Sequence, residues 1–224
     1  MTRTRNLLVM TVVLSISMIA QEEPPDTLYR ANPHYWELCS AWEKDSATPG
    51  GIVMLGNSIT ERGEWMALLH RKDLVNRGIG SDNTYGFLQR MSTVTRLRPR
   101  VCFIMGGIND LYAGFSVETV LRNYASILDT LRSHDIIPVV QSTLFASPRW
   151  RNAREKNVEV KLLNEGLRAT CAREGITFLD LNTLFSRDGL LEDKWTTDGI
   201  HLSVQAYRVW AGEILDVLGA SEEP

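Results

Sequence analysis

Five short apolar runs, each separated from the next by a longer amphipathic stretch, constrain this chain more than any other feature. They fall at residues 51–55, 74–75, 100–105, 136–141 and 177–181. A strand that is apolar on both faces has to be covered on both, which indicates parallel strands between two helical layers. The stretches between them carry helical period. Ser116 is placed to cap a helix with Val117, Val120, Leu121, Tyr124, Ile127, Leu128 and Leu131 inward. A helix over 157–173 is closed by Gly175, and Ser203 caps a last helix that buries Tyr207, Trp210, Ile214 and Leu218. Shorter helices are expected over 62–69 and 83–97, the second stopping before Pro99. Ahead of the first run, Tyr35, Leu38 and Trp42 recur at helical spacing and predict an opening helix across the body of the domain. Alternation of this kind predicts an α/β domain whose ligand sits beyond the carboxyl ends of the strands.

At 224 residues and 44% hydrophobic, the chain has material for one well-filled core. A net charge of −3 argues against nucleic acid as a partner. The beginning reads differently from the rest. Arg3 and Arg5 precede an apolar run over 7–19, and Ala20 offers a cleavage point, the form of a secretory signal peptide. The expected organisation is therefore a signal peptide at 1–20 and a single domain at 21–224, exported to the periplasm or the exterior without stable membrane insertion. Cys39, Cys102 and Cys171 cannot all pair. Cys102 falls in an apolar run and Cys171 on an inner helix face, where a thiol acts as a small hydrophobe. No metal-ligand spacing occurs, and neither a metal nor a cofactor is expected.

Four short segments carry the chemistry: Gly56-Asn57-Ser58, Gly78-Ile79-Gly80, Gly107-Ile108-Asn109-Asp110 and Asp198-Gly199-Ile200-His201. The first three each follow an apolar run, and the fourth precedes the last helix. Each alone is a turn sequence of no particular meaning. In this order and context they supply a hydroxyl nucleophile, a backbone donor, an amide donor and an acid–base pair, the parts needed for acyl transfer through a covalent ester. Of the four histidines, His201 alone has such a context; His34, His70 and His134 read as surface or helix-end residues. The set resembles the blocks of the SGNH hydrolases, the GDSL-type esterases and lipases, from about Gly51 to the final helix.

The resemblance implies a three-layer α/β/α domain around a five-stranded, parallel, flavodoxin-like sheet. It further implies that Ser58, Asp198 and His201 form a catalytic triad. The oxyanion hole would comprise the backbone N–H groups of Ser58 and Gly80 and the side-chain amide of Asn109. Two departures stand out. The usual Gly-Asp-Ser is Gly-Asn-Ser here, so Asn57 keeps the acceptor and loses the charge. The residue after Gly80 is often a second glycine, and here it is Ser81. Other nucleotide and hydrolase patterns fail: the glycines at 78 and 80 lack the third glycine of a dinucleotide fingerprint, and Thr60 replaces the second glycine of the α/β-hydrolase elbow.

The resemblance extends to platelet-activating-factor acetylhydrolase-like and sialate O-acetylesterase-like members, which implies short acyl groups, acetyl first, on a small-molecule or carbohydrate ester. Two alternatives stay open: a lysophospholipase-type acylhydrolase, and a carbohydrate-binding module that keeps the fold without turnover. The arginine-rich loop at 147–154 follows the fourth run. Arg149, Trp150, Arg151 and Arg154 are candidates to grip an anionic or sugar substrate, with Trp150 as a stacking platform, against the plainer reading of a solvated loop. Composition and motifs leave the oligomeric state open.

Overall fold

The computed structural model describes residues 29–46 and 49–220. The expected signal peptide at 1–20 lies outside the described residues. Helix α1 (Pro33–Trp42) begins at Asn32, whose side-chain oxygen accepts the His34 N–H at 3.1 Å. Strand β1 (Ile52–Gly56) runs directly into the one-turn helix α2 (Ser58–Glu61), and a second turn, α3 (Trp65–Leu68), follows. Next come β2 (Leu74–Gly78), α4 (Thr84–Gln89) and α5 (Ser92–Thr95). The chain continues through β3 (Val101–Met105), α6 (Ile108–Tyr112), α7 (Val117–Arg132) and β4 (Ile137–Gln141). The last part holds α8 (Ala153–Glu174), β5 (Thr177–Leu179), α9 (Asn182–Phe185), a small hairpin of β6 (Ser186–Arg187) and β7 (Leu190–Leu191), and α10 (Val204–Ala220).

Strands β1 to β5 form one parallel sheet in the order β2-β1-β3-β4-β5. The chain reverses its direction of winding between β1 and β3, and in open sheets of this kind ligands bind beyond the carboxyl edge at such a switch point. Side chains alternate across the sheet with period two. Val53, Leu55, Cys102, Ile104 and Val140 face a core completed by α4, α5, α7 and α8. Ile52, Met54, Val101, Phe103 and Val139 face the opposite core, under α3, α9 and α10. Each such side chain, fully withdrawn from water, contributes ~1.5–3 kcal/mol. Double-sided burial is why the strands read as unbroken apolar runs. The described cysteines are all unpaired, with Cys102 and Cys171 buried as expected.

The helix expected over 62–69 is shortened to the single turn α3, with α2 placed ahead of it, and the one expected over 83–97 is broken in two. In the first, the Trp65 indole folds back over Gly63, where an added Cβ would lie 2.2 Å from the ring, and donates its Nε1–H to the Thr60 carbonyl at 2.8 Å. That bond ends α2. In the second, Arg90 is buried at the break and turns its guanidinium inward to Asp82 (2.7 Å) and the Gly56 carbonyl (3.0 Å). The helix expected over 157–173 begins earlier, at Ala153, after Asn152 takes a left-handed conformation (φ 52°). Among the described residues no helix is long and apolar enough to cross a membrane.

Candidate active site

Strand register brings the expected segments to one rim. Gly56 is level with Gly78 on one side and with Met105 on the other, so the turns carrying Ser58, Gly80 and Asn109 all leave the same edge. Ser58 opens α2 directly after β1. Asn57 caps that helix, its side-chain oxygen accepting the Ile59 N–H at 3.0 Å. Asparagine thus does the capping work open to an aspartate at this position. A one-turn helix cannot hold itself together, and α2 is held from outside. Its carbonyls accept from Trp65 at Thr60 and from the Tyr207 hydroxyl at Ile59, the latter at 2.6 Å.

Ser58 Oγ lies 3.0 Å from His201 Nε2, and His201 Nδ1 lies 2.5 Å from Asp198 Oδ2. The other carboxylate oxygen of Asp198 accepts the backbone N–H groups of Ile200 (3.0 Å) and His201 (2.8 Å). Burial alone would raise the Asp198 carboxyl. The hydrogen bonds from the His201 ring and the two backbone groups outweigh it and bring the pKa down to about 2. The loop around this pair is tightly laced. The His201 carbonyl accepts from Thr196 Oγ1 (2.7 Å) and the Thr197 N–H (3.0 Å), and the Gly199 N–H donates to Thr196 Oγ1 (2.9 Å). Gly199 is needed here: its φ is +106°, and an added Cβ would stand 3.1 Å from the Trp150 nitrogen.

On the opposite side of the rim, Asn109 sits in the first turn of α6, which follows an N-cap at Gly107 in a left-handed conformation (φ 109°). Its Nδ2 donates to the Asp82 carbonyl at 2.7 Å, which fixes the amide and leaves its second N–H to point elsewhere. Gly80 does not itself need glycine's freedom. The positive φ of this turn falls on Ser81 (φ 61°), and a Cβ on Gly80 would meet only the Glu61 carboxylate at 3.1 Å.

Sequence reading missed the residues that support this half. Asp82, almost fully buried, pairs with Arg90 at 2.7 Å. Asp110 accepts both the N–H and the hydroxyl of Thr84, at 3.0 and 2.5 Å, and Asn123 donates to that same hydroxyl at 2.8 Å. Burial pushes Asp110 up to about 7 and Asp82 to about 6, Arg90 opposing the rise at Asp82. Asp110 stands in a motif, but no local signal ties Thr84 or Asn123 to it, or Arg90 to Asp82. His34 is half exposed, as expected of a helix-end residue, and its Nε2 lies 2.6 Å from Glu61 Oε1.

The 147–154 loop touches the His201 side of the rim. Arg149 donates to the Thr197 carbonyl at 2.8 Å, and the Ser147 N–H donates to the Gly199 carbonyl at 2.8 Å. Trp150 is half-buried against the α7 and α8 core. Arg151 sits over the Tyr112 ring at 5.9 Å. Arg154 points to a separate cavity of about 550 Å³, lined also by Phe145, Asn157, Lys161 and Leu190, that contains neither Ser58 nor His201. The loop therefore braces the His201 turn, a role the sequence did not suggest.

Residues 45–209 match the family described as GDSL-like Lipase/Acylhydrolase. Among curated proteins, the N-acylneuraminate cytidylyltransferase of Streptococcus agalactiae is 31% identical over 104 residues, covering 46% of this chain and 24% of that protein. The chain thus spans about a quarter of the length of that relative. Among solved structures, a GDSL-like lipase from Bacteroides thetaiotaomicron shares the fold with a TM-score of 0.75 at 21% identity, over 84% of this chain and 98% of that one. An acetyl xylan esterase does so with a TM-score of 0.65 at 17% identity, over 75% and 99%. The family match takes in the whole sheet, the Ser58 turn and the His201 loop, and the chain belongs to the GDSL-like lipase and acylhydrolase family of ester hydrolases.

Proposed function

We propose that this hydrolase removes short acyl groups, acetyl first, from a carbohydrate or similar small alcohol through an acyl-enzyme on Ser58. The observation that carries the proposal is the continuous relay from Ser58 Oγ to His201 Nε2 (3.0 Å) and from His201 Nδ1 to Asp198 (2.5 Å). An ionised Asp198 can only accept, so the imidazole carries its proton on Nδ1 and turns an unprotonated Nε2 toward the serine. Ser58 Oγ gives its proton to Nε2 as it attacks the ester carbonyl. The oxyanion takes N–H groups from Ser58, Gly80 and Asn109. Collapse expels the alcohol, which receives the proton from His201, and water then repeats the sequence to release the acid.

Two matched proteins support the sugar and acetyl parts of the reading, one named for acetyl xylan and the other for an N-acylneuraminate. The basic start and apolar run ahead of Ala20 support export, which amino-terminal sequencing of the secreted protein tests. The substrate reading is tested by hydrolysis of acetyl, butyryl and octanoyl aryl esters beside a panel of acetylated sugars, with a serine-directed phosphonate as label. Acetyl esters should turn over fastest, at least one acetylated sugar should be cleaved, and the adduct should map to Ser58. A preference for octanoyl esters, or an adduct elsewhere, overturns it.

A further inference from the structure

The turn that presents Gly80 is held in a strained form by a contact from outside it. The Asp82 N–H donates to the Ile79 carbonyl at 3.2 Å and closes a four-residue turn. The third residue, Ser81, has φ 61°, while Gly80 before it lies outside the left-handed region. This is the pattern of a type II turn, whose third position favours glycine because a side chain there is disfavoured. The competing type I form turns the central peptide over and returns the third residue to negative φ.

One hydrogen bond opposes that flip. Asn32 Nδ2 donates to the Gly80 carbonyl, the oxygen of the central peptide, at 2.8 Å. The Gly80 N–H lies in the peptide just before this central one, and the Asp82 carbonyl, which orients Asn109 at 2.7 Å, belongs to the last residue of the same turn. We propose that Asn32 is a positioning residue for the oxyanion hole, holding the 79–82 turn in the strained form that keeps the Gly80 and Asn109 donors in place. This rests on the esterase reading of those two donors.

Two further observations make Asn32 suited to the role. Its helix is anchored without it: the Tyr35 hydroxyl donates to the Gly86 carbonyl at 2.9 Å, and the Trp42 ring lies 4.5 Å from the Arg77 guanidinium. The two ends of the Asn32 amide also act separately, the oxygen capping α1 and the nitrogen holding the turn. Asn32 lies ahead of residues 45–209, so the family match does not include this contact.

The test uses Asn32→Ser, Ser81→Gly and the double variant on a neutral aryl acetate, with Asn109→Ala and Ser58→Ala alongside. Serine keeps the helix cap and loses the amide donor. Asn32→Ser should lower kcat roughly five- to tenfold with KM little changed. Ser81→Gly in the same chain should restore most of that loss, because glycine holds a left-handed position unaided. Full activity of Asn32→Ser, with Asn109→Ala impaired, overturns the proposal and leaves the esterase reading intact. A loss that Ser81→Gly does not restore comes from a disturbed α1 and also overturns it. Wild-type activity in both Asn109→Ala and Ser58→Ala would bring down the esterase reading and the positioning role together.

Discussion

The two sides of the site are built on opposite plans. The Asp198 and His201 side is local: most of its hydrogen bonds join residues between Thr196 and His201, and its carboxylate is partly open to water. The Gly80 and Asn109 side is assembled from a distance. Asn32 comes from the cap of α1, Thr84 and Arg90 from the two ends of α4, and Asn123 from α7, and the carboxylates on this side, Asp82 and Asp110, are buried. A local plan can be carried by a short motif. A distributed one makes each donor depend on packing elsewhere, and it leaves the two sides with opposite responses to acid.

The sharpest break between them should come from Asp198→Asn. An amide at 198 still fits the loop but favours the wrong imidazole tautomer, and kcat should fall by ~10⁴ with the fold unchanged. Steady-state kinetics and circular dichroism check both halves of that statement. On the proposed mechanism Asn109→Ala removes one oxyanion donor and should cost a smaller ~10²–10³ in kcat, with KM nearly constant. A rise in KM at constant kcat would make Asn109 a substrate-binding residue.

Acid should separate the sides next. Asp198 titrates at about 2, below its ordinary 3.8, so its contribution to stability is present above pH 4 and lost as pH falls toward 2. Asp110 titrates at about 7, above its ordinary value. Between pH 4 and 7 the unfolded chain has released this proton and the native protein still holds it, so stability from this group falls as pH rises through that window. Thermal unfolding of Asp110→Asn across pH 4–7 should show a flatter slope than the parent, with the acid limb below pH 4 retained. Equal slopes would mean that Asp110 is ionised throughout. The smallest effect is expected at the rim. Arg149, Arg151 and Arg154 replaced together by alanine should slow anionic sugar esters selectively and leave a neutral aryl acetate nearly unchanged. An equal loss on both substrates would show that Arg149 matters as a brace on Thr197 rather than as a grip on substrate.

The same contrast explains what could be read from the sequence. The sheet was legible because β1 and β3 are buried on both faces and so are apolar without interruption. The His201 loop was legible because Asp198 and His201 are close in the chain. The break in the helix expected over 83–97 was not, since Arg90 at that break depends on an acceptor at Gly56, 34 residues away. Ser81 stands out in the sequence as a departure, but its left-handed backbone and the contact from Asn32 to Gly80 beside it appear only in three dimensions. Asn123 gave no signal at all, because on α7 it reads as one more polar residue and its value lies in reaching Thr84.

The Tyr207 hydroxyl on the Ile59 carbonyl has a consequence for the time course of synthesis. The bond joins residues 148 positions apart and supports the single turn that carries Ser58. Contacts between such distant parts of a chain form late, after loop closure has been paid in entropy. A nascent chain that has already completed β1 to β5 still lacks the residue that steadies its Ser58 turn. On the proposed mechanism, hydrolytic competence arrives when the last helix docks, and a chain cut short before Tyr207 keeps all five strands while its Ser58 turn lacks this bond.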